Sequence, residues 1–287
     1  MKLLFILFNL ILILPIQSKP LVNAEWLSKN LCNKEIKVKE VGISFNSYLV
    51  EHIQCSQYTN FYKDKWRSNK NKVAMMLPLP EKIVDILEKL GVYDSDHVIL
   101  YAKENTKYSM AETTSIYFTF KYLGHKKISI LNGGYPAFKK QYDFFIEDGH
   151  YKDIKRSKYK TRINKKIIAT YEDVVFSKEN NYSLIDAREH DFYLGINKLK
   201  GFHKFGTIKG SINIPSKWFL EQRGLKFNNI DVLKMIFDSK KLKKNRNSIF
   251  FCYSGLESSI NWFVSHELIK NQNAKLFEGS IFEWTSN

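Results

Sequence analysis

Apolar and polar positions along this chain follow one order, and that order comes twice. His97-Val98-Ile99-Leu100-Tyr101 is a short, nearly continuous apolar run, the signature of a buried strand. A loop over 102–109 follows, then a helical stretch over 110–122 that Gly124 is placed to stop. A second strand over 127–131 leads into Asn132-Gly133-Gly134-Tyr135-Pro136-Ala137-Phe138. A domain-sized distance later the same order returns. Ser248-Ile249-Phe250-Phe251 reads as the strand, 252–257 as the loop, 258–269 as the helix and 274–277 as the second strand. That strand runs into Glu278-Gly279-Ser280-Ile281-Phe282-Glu283-Trp284.

The regions upstream of each block correspond as well. Ser183-Leu184-Ile185-Asp186-Ala187-Arg188 is a strand ending in polar residues, followed by Gly206-Thr207-Ile208-Lys209-Gly210-Ser211-Ile212-Asn213-Ile214-Pro215. The first half has a fainter echo in Tyr48-Leu49-Val50-Glu51-His52-Ile53-Gln54-Cys55-Ser56. Strands alternating with helices predict an α/β fold with a mainly parallel sheet flanked by helices in each half. The halves are bounded at 20–148 and 167–287, and the Lys-, Arg- and Tyr-rich stretch 149–166 is the linker between them.

Composition adds a basic surface. The net charge is +16, carried mostly by lysines spread over the whole chain. No zinc-finger spacing, aromatic RNA-binding run or basic heptad accompanies it, so no nucleic-acid partner is implied. The N-terminus reads as a signal peptide over 1–18. Met1-Lys2 precedes an apolar run over 3–14 that Asn9 alone interrupts. The run is shorter than the roughly 20 residues a spanning helix needs. Cleavage near Ser18 would deliver the protein to the periplasm or outside the cell with no stable membrane insertion. Left uncleaved, the segment is a membrane anchor.

Three cysteines remain, Cys32, Cys55 and Cys252. An exported chain pairs its cysteines where it can, and an odd count leaves at least one thiol unpaired. No CxxC or Cys/His cluster suggests a metal. Phe251-Cys252-Tyr253-Ser254-Gly255-Leu256-Glu257-Ser258 puts a cysteine at the end of a strand and before a helix. In parallel α/β sheets, sites form beyond the carboxyl ends of the strands. Backbone amides curling into the helix would hold a thiolate or persulfide and lower the thiol pKa from its ordinary value of about 8.5. Gly255 lets that loop close without a Cβ clash. A buried packing cysteine is the plain alternative.

On these residues the chain resembles the tandem-domain thiosulfate/3-mercaptopyruvate sulfurtransferases, which are built of two rhodanese-like domains. The opening Leu21-Val22-Asn23-Ala24-Glu25-Trp26-Leu27, Tyr122-Leu123-Gly124-His125, Gly133-Gly134-Tyr135-Pro136-Ala137-Phe138, Gly210-Ser211-Ile212-Asn213-Ile214-Pro215 and Gly279-Ser280 through Glu283-Trp284 carry the likeness together. The resemblance implies sulfur transfer through a Cys252 persulfide, with no metal or organic cofactor. It implies a small anionic sulfur donor, and a small thiol, a thioredoxin-like protein or cyanide as acceptor. Ala102 stands where the second half has Cys252, so the first domain lacks the nucleophile, as the family's first domain does.

The family's loop places Tyr253, Gly255, Leu256 and Glu257 around the donor. Ser254 is typical of the mercaptopyruvate type, where it acts with a histidine matched here by His52. Arg188 matches the arginine that binds the donor's carboxylate or sulfonate. A second family arginine falls near Lys200, which keeps the charge without the planar fork. Glu257 departs from the family's Thr, Arg or Lys, and a carboxylate there would raise the thiol pKa and repel anionic donors. Thr207 replaces a common histidine. Cys55 replaces a turn glycine; both it and Cys32 read as non-catalytic, and a bond between them is open. A Cys-loop phosphatase would need an arginine where Ser258 stands. The remaining alternative, motivated by Glu257 and Lys200, is a catalytically weak or inactive binding or regulatory protein on the same fold.

Overall fold

The computed structural model describes residues 18–70, 73–106, 108–150, 154–200, 204–242 and 245–286. The signal-peptide expectation therefore lies, apart from Ser18, outside the described residues. No described helix is long and apolar enough to cross a membrane.

Each half is built on its own parallel sheet. In the first, β1 (Leu21–Val22), β2 (Ile36–Val41), β3 (Ser56–Thr59), β4 (His97–Ala102) and β5 (Ile128–Leu131) lie in the order β1-β5-β4-β2-β3, with each neighbouring pair parallel. In the second, β6 (Ser183–Asp186), β7 (Ile212–Asn213), β8 (Ser248–Phe251) and β9 (Ala274–Leu276) lie in the order β7-β6-β8-β9, again all parallel. Ile168 bridges Leu276 at the edge of this sheet, as Leu21 pairs with Ile130 in the first. Val98, Ile99, Leu100 and Tyr101 are all buried, as are Ile249, Phe250 and Phe251. That is why these strands read as unbroken apolar runs: helices cover both faces.

The principal helices are α1 (Pro80–Lys89), α2 (Ser109–Tyr122), α3 (Gly134–Tyr142), α4 (Ile230–Ser239), α5 (Ser258–Trp262) and α6 (Ser280–Ser286). Helix α2 is buried from Ser109 through Phe120 because it is held between its own sheet and the second half. Phe118 meets Trp262 edge-on at 4.7 Å, and Tyr117 meets Phe263 edge-on at 4.8 Å. The Thr114 and Ser259 hydroxyls hydrogen-bond at 2.6 Å. One hydrophobic core runs through both halves, from Val41, Leu100 and Phe118 to Ile185, Phe250 and Phe263.

The helix expected over 258–269 is not uniform. After α5 it widens into a π-helical turn over Phe263–Leu268. The wider turn stacks His266 on Trp262 and sets Glu267 against α2, where Tyr117 Oη donates to it at 2.9 Å. The described part of the linker lies along the first half. Arg156 reaches Asp85 and Glu88, and Tyr159 is buried beside His125. Cys32 and Cys55 form a disulfide with their Cα atoms 5.3 Å apart, and Cys252 stays unpaired.

Candidate active site

Cys252 follows the last residue of β8, one of the two interior strands of its sheet, and its loop runs directly into α5. The loop is docked on the segment that opens α6. Ile281 N donates to Cys252 O at 3.1 Å and Phe282 N to Tyr253 O at 3.0 Å. Ser280 Oγ accepts from Cys252 N at 3.1 Å and from Gly255 N at 3.0 Å. Gly255 has a φ of +76°, and a Cβ there would lie 2.8 Å from Glu278 O. The expected need for glycine is therefore doubled, by dihedral and by contact.

The sulfur faces donors. Ser258 Oγ donates to Cys252 Sγ at 3.4 Å, and the backbone amides of Ser258 and Ser254 also point to it. The sign of the pKa effect differs from the expectation. Burial pushes the Cys252 thiol up, Glu257 pushes it further, and the Ser258 hydroxyl with the two amides pulls only partly back. The side chain is 1% exposed, so loss of water outweighs a cradle of two amides and one hydroxyl. The concern over Glu257 is met: it lies half-buried, close enough for its field to act on the sulfur.

The other loop residues pack. Tyr253 is buried under the Arg188 guanidinium, 4.6 Å from its ring centre, and its Oη accepts from Leu199 N. Leu256 is buried, and its carbonyl accepts from the amide and hydroxyl of Ser259. Ser254 is half-buried, and Lys200 is exposed. Arg188, expected to bind the donor, is 2% exposed and directs Nε and Nη2 onto Asp186, with Nη2 also on Gly206 O. Thr207 Oγ1 donates to the same Asp186 at 2.7 Å.

His52 is not joined to this group by any contact described. Its ring stacks on Tyr48 at 3.9 Å, Nδ1 donates to Tyr48 O at 2.8 Å, and Nε2 lies 3.3 Å from Glu147. All three contacts belong to the first half.

Four residues were not singled out from the sequence. Ser258 and Ser280 touch the Cys252 loop, while Glu278, with Arg67 beside it, lies against Gly255. Glu278 is buried, accepts from Leu77 N at 3.1 Å and lies 3.5 Å from Arg67. It also lines a cleft of about 1160 Å³ with Lys63, Lys65, Lys70 and Lys82. The Gly279-Ser280 pair was the available signal; the contacts supply its role.

Known proteins share the two-domain fold. The model of the rhodanese-like domain matches residues 23–141 and again 175–287. The sulfur carrier protein TtuD of Thermus thermophilus is 24% identical over 92% of this chain and 93% of its own. A thiosulfate sulfurtransferase of Bos taurus is 26% identical over 83% and 78%. Among solved structures, SseA from Escherichia coli, described as a 3-mercaptopyruvate sulfotransferase, superposes with a TM-score of 0.77 at 22% identity, covering 92% of this chain and 99% of that one.

Proposed function

The chain belongs to the rhodanese-like domain family, with two copies of the domain, and from that premise we propose that it is a sulfurtransferase whose second copy carries sulfur as a persulfide on Cys252. The observation that carries the reading is the sulfur's setting. It is an unpaired thiol at a strand end, met by the amides of Ser254 and Ser258 and the Ser258 hydroxyl. The corresponding position of the first copy is Ala102.

The steps balance without a cofactor. The Cys252 thiolate attacks the outer sulfur of thiosulfate; a Cys252–sulfur bond forms, the sulfur–sulfur bond of the donor breaks, and sulfite leaves with the electron pair. With 3-mercaptopyruvate the carbon–sulfur bond breaks instead, and the departing pyruvate enolate takes up a proton. An acceptor thiolate then attacks the outer sulfur of the persulfide. It leaves as the new persulfide and restores the Cys252 thiolate; cyanide leaves as thiocyanate. The two amides and the hydroxyl stabilise the negative charge on each sulfur in turn. Ser254 supports 3-mercaptopyruvate as the preferred donor. The Cys32–Cys55 bond supports an oxidising compartment, periplasmic or extracellular.

A second reading, a weak or inactive binding protein on this fold, draws on the 1% exposure of Cys252 and on the engagement of Arg188 with Asp186. One experiment separates them. Purified protein is incubated with each donor and its intact mass read. A gain of one sulfur that disappears in Cys252→Ala supports the transferase; no gain with either donor supports the binding protein. Ser254→Ala should lower loading from 3-mercaptopyruvate more than from thiosulfate. Unchanged selectivity removes Ser254 from the argument.

A further inference from the structure

We infer that Ser280 is a positioning residue for the sulfur site, its hydroxyl fixing which amides of the catalytic loop face Cys252. The inference deepens the sulfurtransferase reading and rests on Cys252 as the carrier.

The Ser280 hydroxyl is fully used. It donates to Phe277 O at 2.7 Å and accepts from the amides of Cys252 and Gly255. A hydroxyl has one donor and two acceptor sites, so nothing is left over. The side chain is 0% exposed. The residues after it hold the same loop by its carbonyls, through Ile281 N to Cys252 O and Phe282 N to Tyr253 O. Two amides are thus drawn to one side of the loop. The amides left facing the sulfur are those of Ser254 and Ser258. Without the hydroxyl, the amides of Cys252 and Gly255 lose this acceptor, and the loop loses the anchor that sets its curl.

The backbone makes the choice of serine informative. Ser280 sits at a φ of +50°, in the left-handed region that favours glycine. The corresponding residue of the first half is a glycine, Gly134, at +57°. A Cβ on Gly134 would lie 2.6 Å from Ala102 O, so there the turn presses against the loop with no side chain at all. The same turn thus carries the conformationally easy residue beside Ala102 and the strained one beside Cys252. Strain retained at one of two equivalent places points to work done by the added group, and the work visible is two bonds to the catalytic loop.

The test uses Ser280→Gly, which removes the hydroxyl and suits the backbone, with Ser280→Ala as a second variant that removes only the hydroxyl. The readouts are the pH profile of Cys252 alkylation by iodoacetamide, followed by intact mass, and the melting temperature. Ser280→Gly should keep its melting temperature within a few degrees while alkylation at pH 7 slows by about tenfold and the profile moves to higher pH. Ser280→Ala, which keeps the Cβ and lacks the hydroxyl, should move the profile in the same direction as Ser280→Gly, and a wild-type profile in Ser280→Ala overturns the assignment. A wild-type alkylation profile in Ser280→Gly, or a faster one, overturns the assignment; so does slowing accompanied by general loss of folding. Alkylation needs no sulfur donor. If wild-type protein gains no sulfur yet Ser280→Gly shifts the profile, the transferase reading fails and the positioning role stands.

Discussion

Replacing Glu278 by Gln should flatten the dependence of stability on pH. Glu278 is buried where the first half closes over the end of the catalytic loop. Arg67 is its nearby cation, but most of that guanidinium's hydrogen bonds go elsewhere, to Trp66 O, Thr119 Oγ1 and Ser115. Glu278 Oε1 is left without a hydrogen bond, 3.5 Å from Arg67. Burial therefore outweighs the attraction of Arg67 and raises the carboxyl from 4.5 to about 7. A folded-state pKa above the unfolded one means that the native state holds the proton more tightly. Its contribution is fully present below pH 4.5 and is lost as pH rises to about 7. At about 1.4 kcal/mol per tenfold change, the loss amounts to roughly 3 kcal/mol. Gln mimics the protonated form at every pH. Glu278→Gln should match the wild type at about pH 4 and exceed it by about 3 kcal/mol at about pH 8, a rise of roughly 6–12 °C in melting temperature. Scanning calorimetry of both proteins from about pH 4 to about pH 8, without reductant, measures the difference. Glu40, also raised to about 7, titrates in both and cancels. Equal pH slopes, or a variant less stable at about pH 8 than at about pH 4 relative to wild type, would refute the reasoning.

Glu257→Thr should move Cys252 alkylation to lower pH and speed loading from an anionic donor, since Glu257 is the second-largest cause of the raised thiol; slower loading would mean that the carboxylate orients the donor. Gly255→Ala places a Cβ 2.8 Å from Glu278 O at a φ of +76°, and should destabilise the protein by about 1–3 kcal/mol in urea titrations while abolishing sulfur gain. Unaltered loading would show that the loop relaxes freely. Opening the Cys32–Cys55 bond, by paired Ser substitution, releases a loop of sequence separation 23 and should lower stability by about 3 kcal/mol. The alkylation of Cys252 should be unaffected, because the bond lies within the first half.

What was legible in the sequence was whatever the apolar pattern alone determines. Strands β4 and β8 stand out because helices cover both of their faces, and Gly124 and Gly255 mark turns that only positive φ allows. Strand β2, interior to the first sheet, was hidden by its charges. Lys39 is buried with Nζ on Leu90 O, and Glu40 is buried beneath Tyr101 Oη, so a run reading as an exposed alternation is interior. Such burial depends on partners more than 50 residues away, which no local pattern reports. The same limit explains His52: resemblance gave its position, but Tyr48 and Glu147 decide its contacts. The sign of the Cys252 shift was out of reach for a different reason. It is a difference between burial and a count of amides, and both are fixed only when the loop is folded.

Corresponding positions in the two halves separate what the fold needs from what the sulfur needs. Each sheet carries an acid near the end of an interior strand, Glu40 paired in register with Tyr101 and Asp186 with Phe251. Each half also reaches over the other: Leu77 N donates to Glu278, and Phe227 N donates to Asn132 at 2.9 Å. Features present in both copies belong to the architecture, since one copy has no thiol to serve. The differences gather at one place. Cys252, Arg188 and Ser280 replace Ala102, Gly42 and Gly134, and Tyr253 replaces Lys103, whose ammonium lies 3.6 Å from the Tyr135 ring. Arg188 supports Tyr253 from one side, and Ser280 holds the loop amides on the other. A shared scaffold would carry these substitutions independently if each served only packing. Ser280 holds two amides of the Cys252 loop, and Arg188 lies over the Tyr253 ring of the same loop, so the substitutions converge on one loop.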